Sequence, residues 1–322
     1  MLKKTSGLLK KGGRSVEGYR KRSDKRMPLK EAISMFVKDN CVLAFGGFGG
    51  EQNTQSTHEI IRQAPHNLTV IGDSPSEQMD MLIGTGLVKK AEFAYCSYAI
   101  AGLCFNLRRS MEKEIPFKVE IEEYSNYTMG LRYLAGAMNI PYMPTRSLLG
   151  SDIPTFNKKI IVTVDPYENS PIALVPAVRP DVAIMHVNRC DQRGNAQMFG
   201  FTAGNENLAR AAKHTIITTE AIVTTDMIRQ HPNLTVIPEF FVDAVVEIPF
   251  ASHPWNMTYS YAYDIPYHMQ QLKCFETRDG FLGWLDEWVY GCPDHEAYCK
   301  KVGWDRLKAL AEIEKKYCPL PY

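Results

Sequence analysis

Asp39-Asn40-Cys41-Val42-Leu43-Ala44-Phe45-Gly46-Gly47-Phe48-Gly49-Gly50 is the stretch that decides how this chain is read. Cys41 to Phe45 is a short apolar run, the pattern of one buried strand. Four glycines then fill five positions. Glycine turns the chain at positive φ and lets a ligand approach the backbone. In an open parallel sheet, ligands sit beyond the carboxyl ends of strands. The run therefore predicts a strand that delivers backbone N–H groups to a site; a tight strand-to-helix turn with no ligand would carry the same residues.

The surrounding chain alternates strand and helix. Pro28 opens a helix whose Leu29, Ile33, Phe36 and Val37 share a face. Helices are also expected over Thr57–Gln63, Leu103–Lys113, Glu206–Ala212, 279–290 and 294–317, with one capped by Ser125. Strands are expected at Leu68–Gly72, Glu92–Cys96, Lys118–Ile121, Asp181–Val187, Thr215–Thr219 and Val242–Ile248. This order predicts an α/β fold, an open, mostly parallel sheet flanked by helices. Ile160–Val164 and Ile172–Val175 read as an antiparallel pair in a smaller β-rich part, with a lobe boundary near 155.

The chain has 322 residues, 45% hydrophobic and 23% charged, ordinary for a soluble globular protein. No apolar run is long enough to span a membrane. Residues 1–26 carry ten Lys or Arg against Glu17 and Asp24, so the rest is net acidic, which argues against nucleic acid as a partner. Residues 1–27 are expected as a basic, disordered arm, and 28–322 as the functional domain. The eight cysteines form no C-x-x-C, which points to reduced thiols in a cytoplasmic protein. Tyr259, Tyr261, Tyr263, Tyr267 and Trp255 form an aromatic segment, expected as packing or subunit interface.

Two other chemistries fail on single residues. Gly47 and Gly49 begin a dinucleotide fingerprint, but its third glycine falls at Gln52. His58-Glu59 begins a zinc-protease motif, but Arg62 stands where the second His is required, so no metal is expected.

Asp39-Asn40 through Gly46-Gly47-Phe48 resembles the first half of the class I CoA-transferase signature; Gln52 and Thr54 depart from its second half. Asp80-Met81-Leu82-Ile83-Gly84 with Val88-Lys89 is similar to a segment of glutaconate CoA-transferase α chains. Asp181 through Asp191, Gly194 and Asn195, then Ala211-Ala212-Lys213 to Glu220, Val242 to Val246 and His253-Pro254 continue the resemblance in order. It covers the chain from about residue 28 to near the end and leaves out the basic arm.

The resemblance implies the CoA-transferase fold and exchange of coenzyme A between two carboxylic acids, one of them possible as a dicarboxylate. The CoA thioester is then substrate, and no bound cofactor is expected. In that family a Glu attacks the thioester and becomes a glutamyl–CoA thioester. Such a Glu sits in a Glu-x-Gly turn of the β chain, and this sequence has no Glu-x-Gly. The resemblance thus implies an α subunit, active only with a β partner that supplies the nucleophile, in an α2β2 or larger assembly. Gly46 and Gly47 are candidates for stabilising an oxyanion through backbone N–H groups. Phe48, Ser74, Ser76, Glu77, Ser97, Tyr98, Gly150 and Ser151 are the candidate substrate-binding residues. Two readings stand beside this one: a ring-opening hydrolase of CoA thioesters with Glu123 as general base on water, for which a solvated strand-end charge is the plainer account, and a non-catalytic partner subunit.

Overall fold

The computed structural model describes residues 24–48, 50–98 and 102–319, so most of the expected basic arm lies outside the described residues. The first half runs α1 (Leu29–Phe36), β1 (Val42–Phe45), α2 (Thr54–Gln63), β2 (Leu68–Ile71), α3 (Ser76–Gly84), β3 (Val88–Phe93), α4 (Phe105–Lys113), β4 (Glu120–Glu123) and α5 (Asn126–Ala137). An insert follows: β5 (Tyr142–Thr145), α6 (Ile153–Phe156), β6 (Ile161–Val164) and β7 (Pro171–Pro176). The chain then returns through β8 (Val182–Asp191), β9 (Ala196–Gln197), α7 (Asn205–Ala211), β10 (His214–Val223), α8 (Thr225–Gln230), β11 (Thr235–Ile237) and β12 (Ala244–Glu247). Helices α9 (Ile265–Phe275), α10 (Arg278–Leu285), α11 (His295–Val302) and α12 (Trp304–Tyr317) close it.

Seven strands among the described residues form one parallel path, β12–β10–β8–β1–β2–β3–β4. β9 and β11 add antiparallel pairs where β8 overruns β1. The expected open parallel sheet is therefore present, with a separate antiparallel sheet β5–β7–β6. Strand order reverses between β1 and β8: the chain works outward through β2 to β4, then restarts at β8 and works the other way. Such a reversal opens a crevice at the carboxyl ends of the two strands. β1 is central because both its faces are apolar; Leu43, Ala44 and Phe45 are buried. Burying a side chain such as Leu43 contributes about 1.5–3 kcal/mol.

Local chemistry sets several boundaries. Ser125 caps α5, its hydroxyl accepting from Thr128 N–H while Thr128 reciprocates. The helix expected over 294–317 is two, because Gly303 takes φ +102° between α11 and α12. The strand expected at Glu92–Cys96 is shifted to Val88–Phe93, since Lys90 is not a surface lysine: its ammonium pairs with Glu92 (3.2 Å) and Glu122. Residues 24–27, expected within the arm, run along the sheet, where Arg26 pairs in parallel with Val245 and Met27 N–H donates to the Val245 carbonyl (3.0 Å). The aromatic segment is internal packing: Trp255 and Tyr261 are buried, and Trp255 stacks on Tyr263 at 5.2 Å.

Candidate active site

The glycine turn leaves β1 at the strand-order reversal. Gly46 N–H donates to the Ile184 carbonyl (3.0 Å), extending the β1–β8 ladder by one residue. Its amide is thus not bare, which corrects the expectation that both glycines offer free N–H groups. Gly46 must still be glycine, because a Cβ there would lie 2.2 Å from Asn205 Oδ1 and 2.5 Å from Met185 Cγ. Gly47 turns the chain at φ +96°, and a Cβ on it would lie 2.7 Å from the Glu51 carbonyl oxygen. The Gly47 N–H points at Asn205 Oδ1 at 3.4 Å, a long bond from the first residue of α7. Of the two amides, this is the one a stronger acceptor could recruit.

The turn is clamped from outside. Glu51 N–H donates to the Asn256 carbonyl (2.9 Å), and the Asn256 side chain fills the space beside Gly50. Gln55 N–H donates to the Ala251 carbonyl (3.1 Å). Asn53 caps α2 and donates to Thr218 Oγ1 (2.5 Å). Thr218 Oγ1 also meets His186 Nδ1 (2.9 Å), whose Nε2 faces Glu220 Oε1 (2.5 Å). A buried chain of polar groups therefore ties α2 to β10 and β8 just behind the turn.

Phe48 and Ser74 form a parallel bridge, so the loops after β1 and β2 lie side by side. Phe48 is 40% exposed and packs edge-on to Phe201 at 5.8 Å. Ser74 is buried, its hydroxyl 3.4 Å from Asn126 Oδ1, and its carbonyl accepts from Gln52 Nε2 (2.9 Å). Ser76 Oγ donates to the Ser97 carbonyl (2.6 Å), and Ser97 Oγ to Gly102 (2.8 Å). Phe48 and Ser74 thus lie side by side, and Ser76 and Ser97 meet at the neighbouring strand ends.

The other predicted residues are placed differently. Glu77 is fully buried and accepts from Trp255 Nε1 (2.6 Å) and Gln271 Nε2 (2.6 Å), with His268 Nε2 at 3.7 Å. It staples the carboxyl-terminal segment onto α3, so the expected substrate contact is corrected to a structural one. Burial pushes its carboxyl up to about 7, against the pull of those donors. Tyr98 is also fully buried; its hydroxyl donates to Asp80 Oδ2 (3.2 Å). Burial raises Asp80 to about 6. Gly150 and Ser151 lie in the turn after β5, where Ser151 Oγ returns to the Leu148 carbonyl (2.9 Å). Glu123 ends β4 and lines a cleft of about 780 Å³ with Leu107, Met111, Phe156 and Lys159. Beside it Glu122 is paired with Lys90, Lys159 and Tyr124.

Two acidic residues near the turn are not among the expected site residues. Glu51 has φ +58°, is buried, and has its carboxyl raised to about 7 by burial, while a hydrogen bond to Thr258 pulls it down. Its signal was its place directly after Gly50. Asp73 lies two residues beyond β2 and is pushed up to about 6 by burial, with its carboxylate accepting from Ser74 N–H (2.7 Å). Carboxyls shifted upward by burial in this way cluster at functional sites.

The comparisons with known proteins bear on this arrangement. The coenzyme A transferase family matches residues 26–248. The chain belongs to that family. It is 33% identical over 86% of its length to the α subunit of the 3-oxoadipate CoA-transferase of Pseudomonas knackmussii, covering 97% of that protein. It is 31% identical over 90% of its length to the α subunit of the glutaconate CoA-transferase of Acidaminococcus fermentans, covering 95% of it. The crystal structure of the latter enzyme superposes with a TM-score of 0.83 at 30% identity, over 89% of this chain and 95% of that one. An uncharacterized Archaeoglobus fulgidus protein is 43% identical over 92% of this chain, which spans 66% of that protein. Ring-cleaving cholesterol hydrolase subunits of Mycobacterium tuberculosis are more distant, at 24% identity over 88% of the chain. The CoA-transferase fold expected from the glycine turn and the order of motifs is thus the fold of the family. No helix among the described residues is long and apolar enough to cross a membrane.

Proposed function

We propose that this CoA-transferase family member is the α subunit of a two-subunit enzyme that moves coenzyme A between an acyl-CoA and a carboxylic acid. The observation that carries this is near-full-length similarity to two proteins named as α subunits of CoA-transferases, together with the glycine turn at the strand-order reversal. The nucleophile belongs to the β partner, since this chain lacks a Glu-x-Gly turn. The partner carboxylate attacks the thioester carbonyl, thiolate leaves, and an acyl–glutamyl anhydride forms. Thiolate then attacks the glutamyl carbonyl, releasing the free acid and leaving a glutamyl–CoA thioester; a second acid reverses the sequence. Each attack passes through a tetrahedral oxyanion. The Gly47 N–H, exchanging Asn205 for that oxyanion, is the donor this chain would contribute, and one such donor is worth ~3–4 kcal/mol. Glutaconate and 3-oxoadipate, named for the two relatives, are both dicarboxylates, and a dicarboxylate is the class we assign as acceptor. Work in the cytoplasm and two or more copies of each subunit complete the reading.

The test is mass-spectrometric product analysis of the chain produced with its β subunit. Acyl-CoA is supplied with and without acetate or a dicarboxylate. A new acyl-CoA formed only with the acceptor, and a glutamyl–CoA adduct on the β chain, is the expected result. A hydrated or ring-opened product formed without any acceptor would overturn it in favour of Glu123 and water.

A further inference from the structure

β6 is an edge of the small antiparallel sheet, and all four of its residues, Ile161-Val162-Thr163-Val164, are exposed. An edge strand of this kind usually carries a lysine, a proline or a bulge that blocks pairing. None interrupts Ile161–Val164, and its register with β7 is regular. Ile161 is 60% exposed and Val164 57%, and Phe156 (77%) and Tyr167 (94%) flank the strand. Ile161 lies on one face of the strand and Val162 and Val164 on the other, so both faces of this edge expose apolar side chains, as association sites do.

The register shows which backbone groups are free. Asp165 N–H donates to the Ser170 carbonyl (2.8 Å), in line with Val164 opposite Pro171 and Thr163 opposite Ile172. Antiparallel partners alternate between hydrogen-bonded and non-bonded pairs. Asp165, Thr163 and Ile161 therefore spend their N–H and C=O groups on β7, and Pro171, opposite Val164, has no N–H to give. Val162 and Val164 turn their N–H and C=O groups outward, to the open edge.

We infer that this edge pairs with β6 of a second copy of this chain, antiparallel about a twofold axis through Thr163. In that register Val162 of each copy faces Val164 of the other, and every outward N–H and C=O of the strand finds a partner. No other antiparallel register of β6 on itself uses both valines with each other. The charges agree. Lys158, whose ammonium reaches the Thr155 carbonyl (2.6 Å), precedes the strand, while Asp165 and Glu168 share Arg146 after it. Antiparallel pairing sets the basic end of each strand against the acidic end of the other, which is the self-complementarity an isologous interface needs. The result is one continuous six-stranded sheet across two α chains.

Thr163→Cys tests this directly, because it places two thiols on the axis in a non-bonded pair, where Cβ atoms approach to roughly 4.5–5.5 Å. The full-length chain, alone and with its β subunit, is oxidised with glutathione disulfide and resolved without reductant. Thr163→Cys should give a covalent α–α dimer, and wild type and Val162→Cys several-fold less. Lys158→Glu should lower the yield of that dimer several-fold, and adding Glu168→Lys should restore it. Val164→Lys should halve the number of α chains per assembly in sedimentation. A crosslink from Thr163→Cys to the β chain would overturn the inference and give the edge to that subunit. Equal crosslinking at Val162, or an assembly with unchanged α content in Val164→Lys, would also overturn it.

Discussion

Gly47→Ala separates two effects that the structure lets one calculate. At φ +96° an alanine sits outside the region that L residues favour, a cost of about 1–2 kcal/mol. Its Cβ would also lie 2.7 Å from the Glu51 carbonyl oxygen. That oxygen cannot swing away cheaply, because Glu51 is anchored through its N–H to Asn256. Forced overpacking of this kind adds about 1–3 kcal/mol, for a total of about 2–5 kcal/mol. Gly150→Ala is the internal control: φ is +86°, and nothing lies within 4 Å of its added Cβ, so it carries the strain alone. Urea unfolding should therefore show Gly47→Ala less stable than Gly150→Ala by about 1–3 kcal/mol. Turnover with the β subunit should fall by about 100-fold for Gly47→Ala, since a shift approaching 1 Å near reacting atoms has that effect, and hardly change for Gly150→Ala. Equal destabilisation of the two variants would refute the clash, and full turnover by Gly47→Ala would refute the role of the Gly47 amide.

Three further outcomes are expected. Glu77 titrates at about 7 in the native chain and near 4.5 when unfolded, so the native state holds its proton longer and stability falls as pH rises from 4.5 to 7; Glu77→Gln should flatten that slope by up to about 3 kcal/mol in urea titrations from pH 5 to 8. Burial would raise Glu92, but Arg132 (2.6 Å), Lys159 and Lys90 bring it down to about 2, so its contribution is present above pH 4.5 and lost between 4.5 and 2. Arg132→Met should shift the acid-unfolding midpoint upward and cost about 3 kcal/mol at pH 7. Gly46→Ala collides with Asn205, so Asn205→Ala should relieve it in part; a double-mutant cycle on unfolding should show coupling of about 0.5–3 kcal/mol, and additive losses would contradict the packing.

Much of the site's surroundings was legible because the signals are local. The glycine turn needs residues without a Cβ, and no other residue type substitutes at Gly46 or Gly47. Ser125 announces its helix through its own hydroxyl. By contrast, nothing in the local pattern of α2 and α3 marks their polar residues as interior, yet Gln55, His58, Glu77 and Asp80 are all buried. The segment after residue 250, which arrives from more than 160 residues away, gives Trp255 and Gln271 to Glu77, the Ala251 carbonyl to the Gln55 N–H, and the rings of Trp284 and Tyr298 to His58, while Tyr98, Asn106 and Leu107 hold Asp80. No window of sequence contains both partners, so no period could have shown it.

The sequence by itself determined the alternation of strand and helix, the buried strand with its glycine turn, the antiparallel pair at 160–175, and the family. The elements follow from residue size, backbone freedom or periodicity over short stretches, and the family from the resemblance of several motifs in the right order. Only the tertiary structure decided that β1 and β8 meet at the reversal of strand order, that Gly46 spends its amide on Ile184, and that Glu77 and Tyr98 are core rather than contact residues. Those outcomes depend on which distant donor or strand reaches a group first. A buried carboxyl and a catalytic one are the same letter until the chain has closed around them.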